Sequence, residues 1–358
     1  MCFFKNSRIK ISIIKTKTMK NLLKIISIAL ITTIFSCSKD DSPQRETPVV
    51  ANPITTVYVG GSQKINGLEK ATIWKNGTPE LLATEAANNS RVYSVCVVGN
   101  DVYAVGFEIS SSGGIATLWK NGAKTALSQT SSIALSVAVK FNTVYIVGRE
   151  GVKAAIWVSQ TGLYDATIIS NTNYSVASSV FLTDDGTTIN GVHVAGQIGQ
   201  NAWIFYNSGN NETIFTNNST ADSIFVRGND VYVAVNNYFS GITTASLLKN
   251  QAVQNTIASG TAMLSVYGDD QNIYAAGAIN PFTVDSRATI WENYVPKPLS
   301  TKLSQANSVF VANKIVYVAG FEYDSNTAYF NATLWVNGVV QTLSTNNCTA
   351  KSVFVTVK

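Results

Sequence analysis

Two carboxyl groups held across a glycosidic bond hydrolyse it, with retention when they stand ~5 Å apart and with inversion at ~6.5 to 9.5 Å. Glu108, Glu150 and Glu322 are the candidates for that chemistry in this chain, and nothing in their spacing forces them together. The acidic pairs Asp184-Asp185 and Asp269-Asp270 fall in hairpin turns, where Asp and Gly are favoured by backbone geometry. Neither pair belongs to a full calcium-binding loop. His193 is the sole histidine. It stands where sister segments carry tyrosine and has no recurring acid beside it, so it reads as packing and not as a general base. With one histidine and no Cys-x-x-Cys, metal-ligand spacing is absent and no cofactor is implied.

The elements that must position these side chains are set by a ladder of serines. Ser94, Ser136, Ser179, Ser223, Ser265, Ser308 and Ser352 follow one another at 42, 43, 44, 42, 43 and 44 residues. Each opens a short β-branched run such as Ser-Val-Cys-Val or Ser-Val-Phe-Val, which reads as a strand. A second strand begins eight residues later in five repeats, as in Val102 to Gly106 and Val144 to Gly148; the third repeat reaches it only after a five-residue insertion. A third strand carries Trp74, Trp119, Trp157, Trp203, Leu248, Trp291 and Trp335 in one register. Asn-Gly after Trp74, Trp119 and Trp335 is a strong hairpin signal, and a fourth strand follows. Four antiparallel strands every ~43 residues predict propeller blades.

The ends of the chain complete the count. Val57 to Gly61 starts a repeat at its second strand, and Ser352 to Val355 is a first strand with nothing after it. The reading is an all-β, seven-bladed propeller over residues 54–358, closed by the C-terminal strand joining three N-terminal ones. Strict alternation puts each ladder serine and the residue two before it on one face. That residue is Ala134, Ala177, Ala221, Ala306 or Ala350 in five blades, small enough for packing where wedge-shaped blades converge. The functional alternative is a mouth lined by seven hydroxyls. The tryptophans read as packing between blades.

First-to-second and third-to-fourth turns lie on one face of the ring, the hairpin face. Second-to-third and blade-to-blade connections lie on the other, the loop face. From the second strand to the Trp position the chain takes between 7 and 15 residues, and variable loops on a rigid scaffold are the usual place for recognition. The candidates there are Glu108, Arg149, Glu150, Asn237, Tyr238, Phe239, Arg287, Glu322, Tyr323, Asp324, Tyr329 and Phe330. Aromatic rings beside Glu, Arg and Asp suit stacking on a sugar or anchoring a protein.

Bulk charge misleads here. The formal charge of +5 includes seven Lys or Arg and no acid in residues 1–36, which leaves 19 basic against 21 acidic side chains beyond them. A basic patch for nucleic acid is missing. Lys20 and Lys24 precede an apolar run from Ile25 to Phe35, the length of a secretory signal core and too short to span a bilayer. Met19 is an alternative start. Residues 37–53, with Pro43, Pro48 and Pro53, read as a flexible tether. Cys348 lies four residues before Ser352 and Cys96 two after Ser94, so on adjacent strands they are offset by ~20 Å, beyond disulfide reach.

Ile34-Phe35-Ser36-Cys37 resembles the lipobox of bacterial lipoproteins, in which the cysteine is lipidated after cleavage. Ser38-Lys39-Asp40-Asp41 resembles the surface-export signal of Bacteroidetes lipoproteins. Together they imply an outer-membrane, lipid-anchored protein exposed at the cell surface, with Cys37 as the attachment site. The unit Ala-Thr-Leu-Trp-Lys-Asn-Gly, with Ser-Val and Val-Tyr-Val-Ala-Gly, resembles HAF-type extracellular repeats over about residues 54–358. That similarity implies a secreted repeat protein and brings no catalytic residue. The Ser-x-Asp-x-Gly-x-Thr-Trp boxes and arginine triad of sialidase-type propellers do not occur. The expectation is a monomeric, non-enzymatic binding module for a glycan or envelope protein. A carbohydrate-active enzyme, glycosidase or lyase, is the alternative.

Overall fold

The computed structural model describes residues 53–358 apart from 83, 112, 207–210 and 216–217. The leader 1–36, Cys37 and the rest of the tether before Pro53 lie outside the described residues. Among the described residues, 28 strands form seven four-stranded antiparallel sheets. Blades one to six span 90–126, 132–168, 176–215, 219–259, 261–298 and 304–344. Blade seven joins Thr349–Val357 to Thr55–Ile65, Leu68–Lys75 and Thr78–Leu81. Its seam pairs Val57 with Val355 and Val59 with Val353, and Ile54 and Lys358 exchange backbone hydrogen bonds of 2.7 and 3.0 Å. The ring closes as the two partial repeats require.

Local chemistry explains each blade. At the third-to-fourth turn, Asn76-Gly77, Asn121-Gly122 and Asn337-Gly338 hold positive φ at both residues, the geometry that suits a two-residue hairpin. Asn is retained as Asn250 and Asn293, where Gln251 and Tyr294 replace the glycine. The reason is a second role: Oδ1 of Asn76, Asn121, Asn250, Asn293 and Asn337 accepts the N–H that opens the second strand, at 2.8 to 2.9 Å.

Two rings of hydrogen bonds lock blade to blade. Every ladder serine accepts, through Oγ, the backbone N–H of the residue after the ladder serine of the next blade, at 3.0 to 3.3 Å; Ser352 accepts from Val95 and Ser308 from Val353, so the cycle is unbroken. Four residues earlier, Ser90, Ser132, Ser175, Ser219 and Ser304 accept N–H groups of the preceding blade at 2.9 Å. Thr261 serves blade five at 3.4 Å, and Cys348 holds this place in blade seven. Cys348 and Cys96 are both free and buried, as their offset requires.

Between the blades lie apolar clusters shared by neighbouring sheets. Trp157, for example, packs with Val105 and Leu118 of the preceding blade. All six tryptophans and Leu248 are at most 1% exposed. The indole nitrogens of Trp74, Trp157, Trp203, Trp291 and Trp335 have no hydrogen-bond partner, so these rings act through packing.

One sequence expectation is corrected. Ala134 pairs with Gly148 but Ser136 pairs with Val147, and the same shift recurs before every ladder serine. A β-bulge inserts one residue there, so two residues oppose one. Alanine and serine therefore point to opposite faces of the sheet, the alanine to the preceding blade and the serine to the next.

Candidate functional site

The bulge gives the central channel its wall. The extra residues are Tyr93, Leu135, Ser178, Asp222, Leu264, Asn307 and Lys351, all partly buried. They vary from blade to blade, and sequence reasoning passed over them. Their variation beside an invariant serine was the available signal. Asp222 accepts from Thr220 Oγ1 at 2.7 Å and Asn236 Nδ2 at 2.6 Å. Burial pushes its carboxyl above the ordinary range, against the pull of those two bonds. In blade seven, burial lowers the Lys351 ammonium to about 8, helped by the Arg91 guanidinium and opposed by Glu69. Arg91 itself is ion-paired with Glu69.

Toward the hairpin face the channel is floored by aromatic rings. Phe181, Phe225, Tyr267, Phe310 and Phe354 follow one another around five blades with centroids 5.3, 4.9, 4.5 and 4.8 Å apart. Cys96 and Ala138 hold the same place in blades one and two, and burial followed by the Cys96 thiol raises the Tyr267 phenol. The ladder hydroxyls above this floor are engaged by backbone N–H groups. They do not form a free hydroxyl mouth.

The three glutamates take one position in their blades and one structural role. Each pairs, across the sheet, with the serine that starts its inner strand and ties down the connection entering that strand. Glu108 accepts from the Glu85 backbone N–H, Asn88 Nδ2 and Lys124 Nζ. Glu150 accepts from Ser128 and Thr130 hydroxyls at 2.7 and 3.0 Å. Glu322 accepts from Lys302 Nζ at 3.1 Å. They sit in blades one, two and six, each bound to its own connection.

The other candidates divide. Arg149 is exposed and Asn237 and Tyr238 are partly buried. Burial and Asp222 raise the Tyr238 phenol, while Thr220 lowers it. Phe239 is 76% and Tyr329 40% exposed. Phe330 packs against Phe321 and Tyr323 at 5.0 and 5.4 Å. Glu322, Tyr323 and Asp324 come together with Arg287 in one cleft between blades five and six on the loop face, of about 720 Å³. Lys302 and Asn331 line it too, and Asn331 Oδ1 is buried there without a hydrogen-bond partner. Two cations, two carboxylates and an amide offer both donors and acceptors to a polar ligand.

Among the described residues, no group of three or more His, Cys, Asp or Glu is placed to hold a metal ion, and no helix is long and apolar enough to cross a membrane.

No protein-family model and no curated protein matches the chain. Three similar solved structures share 10 to 11% identity with the chain. A nidogen/laminin complex chain has 10% identity and a TM-score of 0.41, covering 84% of this chain and 98% of that one. The β-propeller domain of the Trilobed protease from Pyrococcus furiosus has 11% identity and a TM-score of 0.45, covering 71% and 85%. An α-L-arabinofuranosidase from Clostridium thermocellum has 10% identity and a TM-score of 0.33, covering 72% and 95%. At that distance neither a binding role nor an enzymatic one transfers to this chain.

Proposed function

We propose that this chain is a surface-tethered, non-enzymatic binding propeller that takes a glycan on its loop face, in the cleft between blades five and six. The observation that carries this reading is the polar lining of that cleft, with Arg287, Lys302, Glu322, Tyr323, Asp324 and Asn331 around about 720 Å³. The volume lies within the range of small-ligand pockets. The charged and amide groups suit the hydroxyls of a sugar. The tethered part rests on the lipobox-like Ile34-Phe35-Ser36-Cys37 of the sequence.

Glycan-array and envelope pull-down assays with the full chain test this reading. Arg287→Ala and Asp324→Asn are expected to weaken glycan binding roughly tenfold or more, as loss of a charged hydrogen bond does, without altering the melting temperature. Binding of an envelope protein with no glycan binding would move the ligand class to protein. One observation favours the enzyme as second reading: Glu322 and Asp324 alternate on the strand Ile315–Asp324 and both line the cleft. Residues two apart on a strand are separated by ~6.6 Å, close to the inverting interval. Polysaccharide hydrolysis lost in Glu322→Gln and Asp324→Asn would establish that reading.

A further inference from the structure

The third blade breaks the repeat in three ways, and all three meet at one cavity. Its first hairpin carries the five-residue insertion, His193 replaces the tyrosine of the other six blades, and Gly191 lies two residues before it. The cavity, of about 880 Å³, opens on the hairpin face and is lined by Lys140 of blade two, Asp184, Asn190, His193 and Tyr206 of blade three, and Asn229 of blade four.

Two of these departures shape the space. A Cβ on residue 191 would lie 2.2 Å from Thr183 Oγ1 and 2.6 Å from His193 Nε2, so glycine is what lets the hydroxyl and imidazole meet at 3.3 Å. Where the repeat keeps tyrosine, the phenol reaches an acid at the hairpin, as Tyr103 does Asp101 and Tyr232 does Asp230. The shorter imidazole stops before that. It sits edge-on to Tyr206, with centroids 5.4 Å apart, and its Nδ1 is buried without a partner. Departures from a repeat that converge on one pocket, at no evident gain to packing, mark a functional position.

The lining also defines the ligand. Lys140 and Asp184 are ion-paired, and burial lowers the His193 pKa, favouring its neutral form, so the site balances its own charge. Amides, imidazole, hydroxyl and the ion pair give donors and acceptors in mixture, the pattern that matches hydroxyl groups, which do both. Tyr206 and Phe181 add aromatic surface for the C–H face of a ring.

We propose that this cavity is a second binding site, on the face opposite the blade five–six cleft, for a single neutral sugar ring. It stands independently of the loop-face reading.

The sole histidine supplies the probe, since its ring gives one set of imidazole NMR signals, from inside the cavity. The full chain, labelled at histidine, is titrated with glucose, galactose and N-acetylglucosamine. At least one is expected to shift the His193 signal saturably, at roughly millimolar concentration. Asn229→Ala should weaken that response roughly tenfold, the loss of one good hydrogen bond. In an Arg287→Ala background, which disables the loop-face cleft, His193→Tyr, which restores the residue of the other blades, should abolish the remaining calorimetric heat of binding while the ring stays folded. No shift with any of the three sugars overturns the site. A shift with glycine or glutamate but with no sugar overturns the ligand class. A sugar response unchanged in both cavity variants also overturns the proposal.

Discussion

The ammonium of Lys351 sits in an environment far from water. Burial moves its pKa from 10.5 to about 8, with the Arg91 guanidinium acting the same way and Glu69 the opposite way. Between those two values the unfolded chain binds more protons than the folded one, so this group makes stability rise with pH across that window. At pH 7 it is charged in both states and its burial is a net cost. Lys351→Met is therefore expected to raise the melting temperature at pH 7 and to flatten the rise between pH 8 and 10.5, read as the difference from wild type. A lower melting temperature for the variant would show that Glu69 outweighs desolvation. At this scale the sequence is legible where one residue repeats alone. The ladder serines and the tryptophans announce themselves by spacing, and their burial and packing follow. Lys351 and Asp222 do not, because each occurs once and acquires its character from neighbours distant in the chain, Arg91 for the one and Asn236 for the other.

At the scale of the strand, the bulge before each ladder serine decides which side chains face the channel. Six of the seven partner strands carry glycine opposite the bulge, and a Cβ there would stand 1.8 to 2.0 Å from a backbone carbonyl oxygen, as at Gly61, Gly106, Gly148, Gly196, Gly277 and Gly320. Val235 holds the place in blade four. At Gly148 the obstacles are Ile133 O and Ala134 Cα, backbone atoms that cannot rotate away. Gly148→Ala is expected to destabilise the ring by about 1 to 3 kcal/mol or more, the range of overpacking. Gly114→Ala, whose nearest atom would be 3.5 Å away at ordinary φ, is expected to stay within ~0.5 kcal/mol. Chemical denaturation of the two variants compares them directly, and equal midpoints would remove the steric argument for the glycine. The bulge was not legible because period-two alternation counts residues, and an inserted residue slips the count without changing composition. The second ring of hydroxyls was legible in principle, as serine four residues before the ladder position. Glu108, Glu150 and Glu322 were visible as carboxyls, but their partners sit in connections such as Ser128 and Thr130, whose course no local pattern fixes.

For the whole molecule, the seam in blade seven is where a linear chain becomes a ring. Removing residues 349–358 does more than expose the edge of Thr55–Ile65. It also removes Ser352, which receives Val95, and Val353, which donates to Ser308, so two of the seven links of the inner cycle are lost together. The cluster that Val353 and Val355 share with Val59, Trp74 and Leu334 opens at the same time. Because every blade buries its apolar face only against its neighbours, loss at one seam leaves two blades with half a core. The truncated chain is expected to lose its single cooperative melting transition and to associate through the bared strand edge. A synthetic peptide of residues 345–358, added in trans, should pair with Thr55–Ile65 and restore both cooperativity and the elution volume of the intact chain. Calorimetry with size-exclusion chromatography reads both effects. An unchanged transition after truncation would mean that the six complete blades are sufficient by themselves and that the hydrogen-bonded cycle does not hold the ring. A peptide that restored stability when Ser352 was alanine as fully as when it was serine would place the closing energy in the strand ladder and the apolar cluster, outside the hydroxyl cycle.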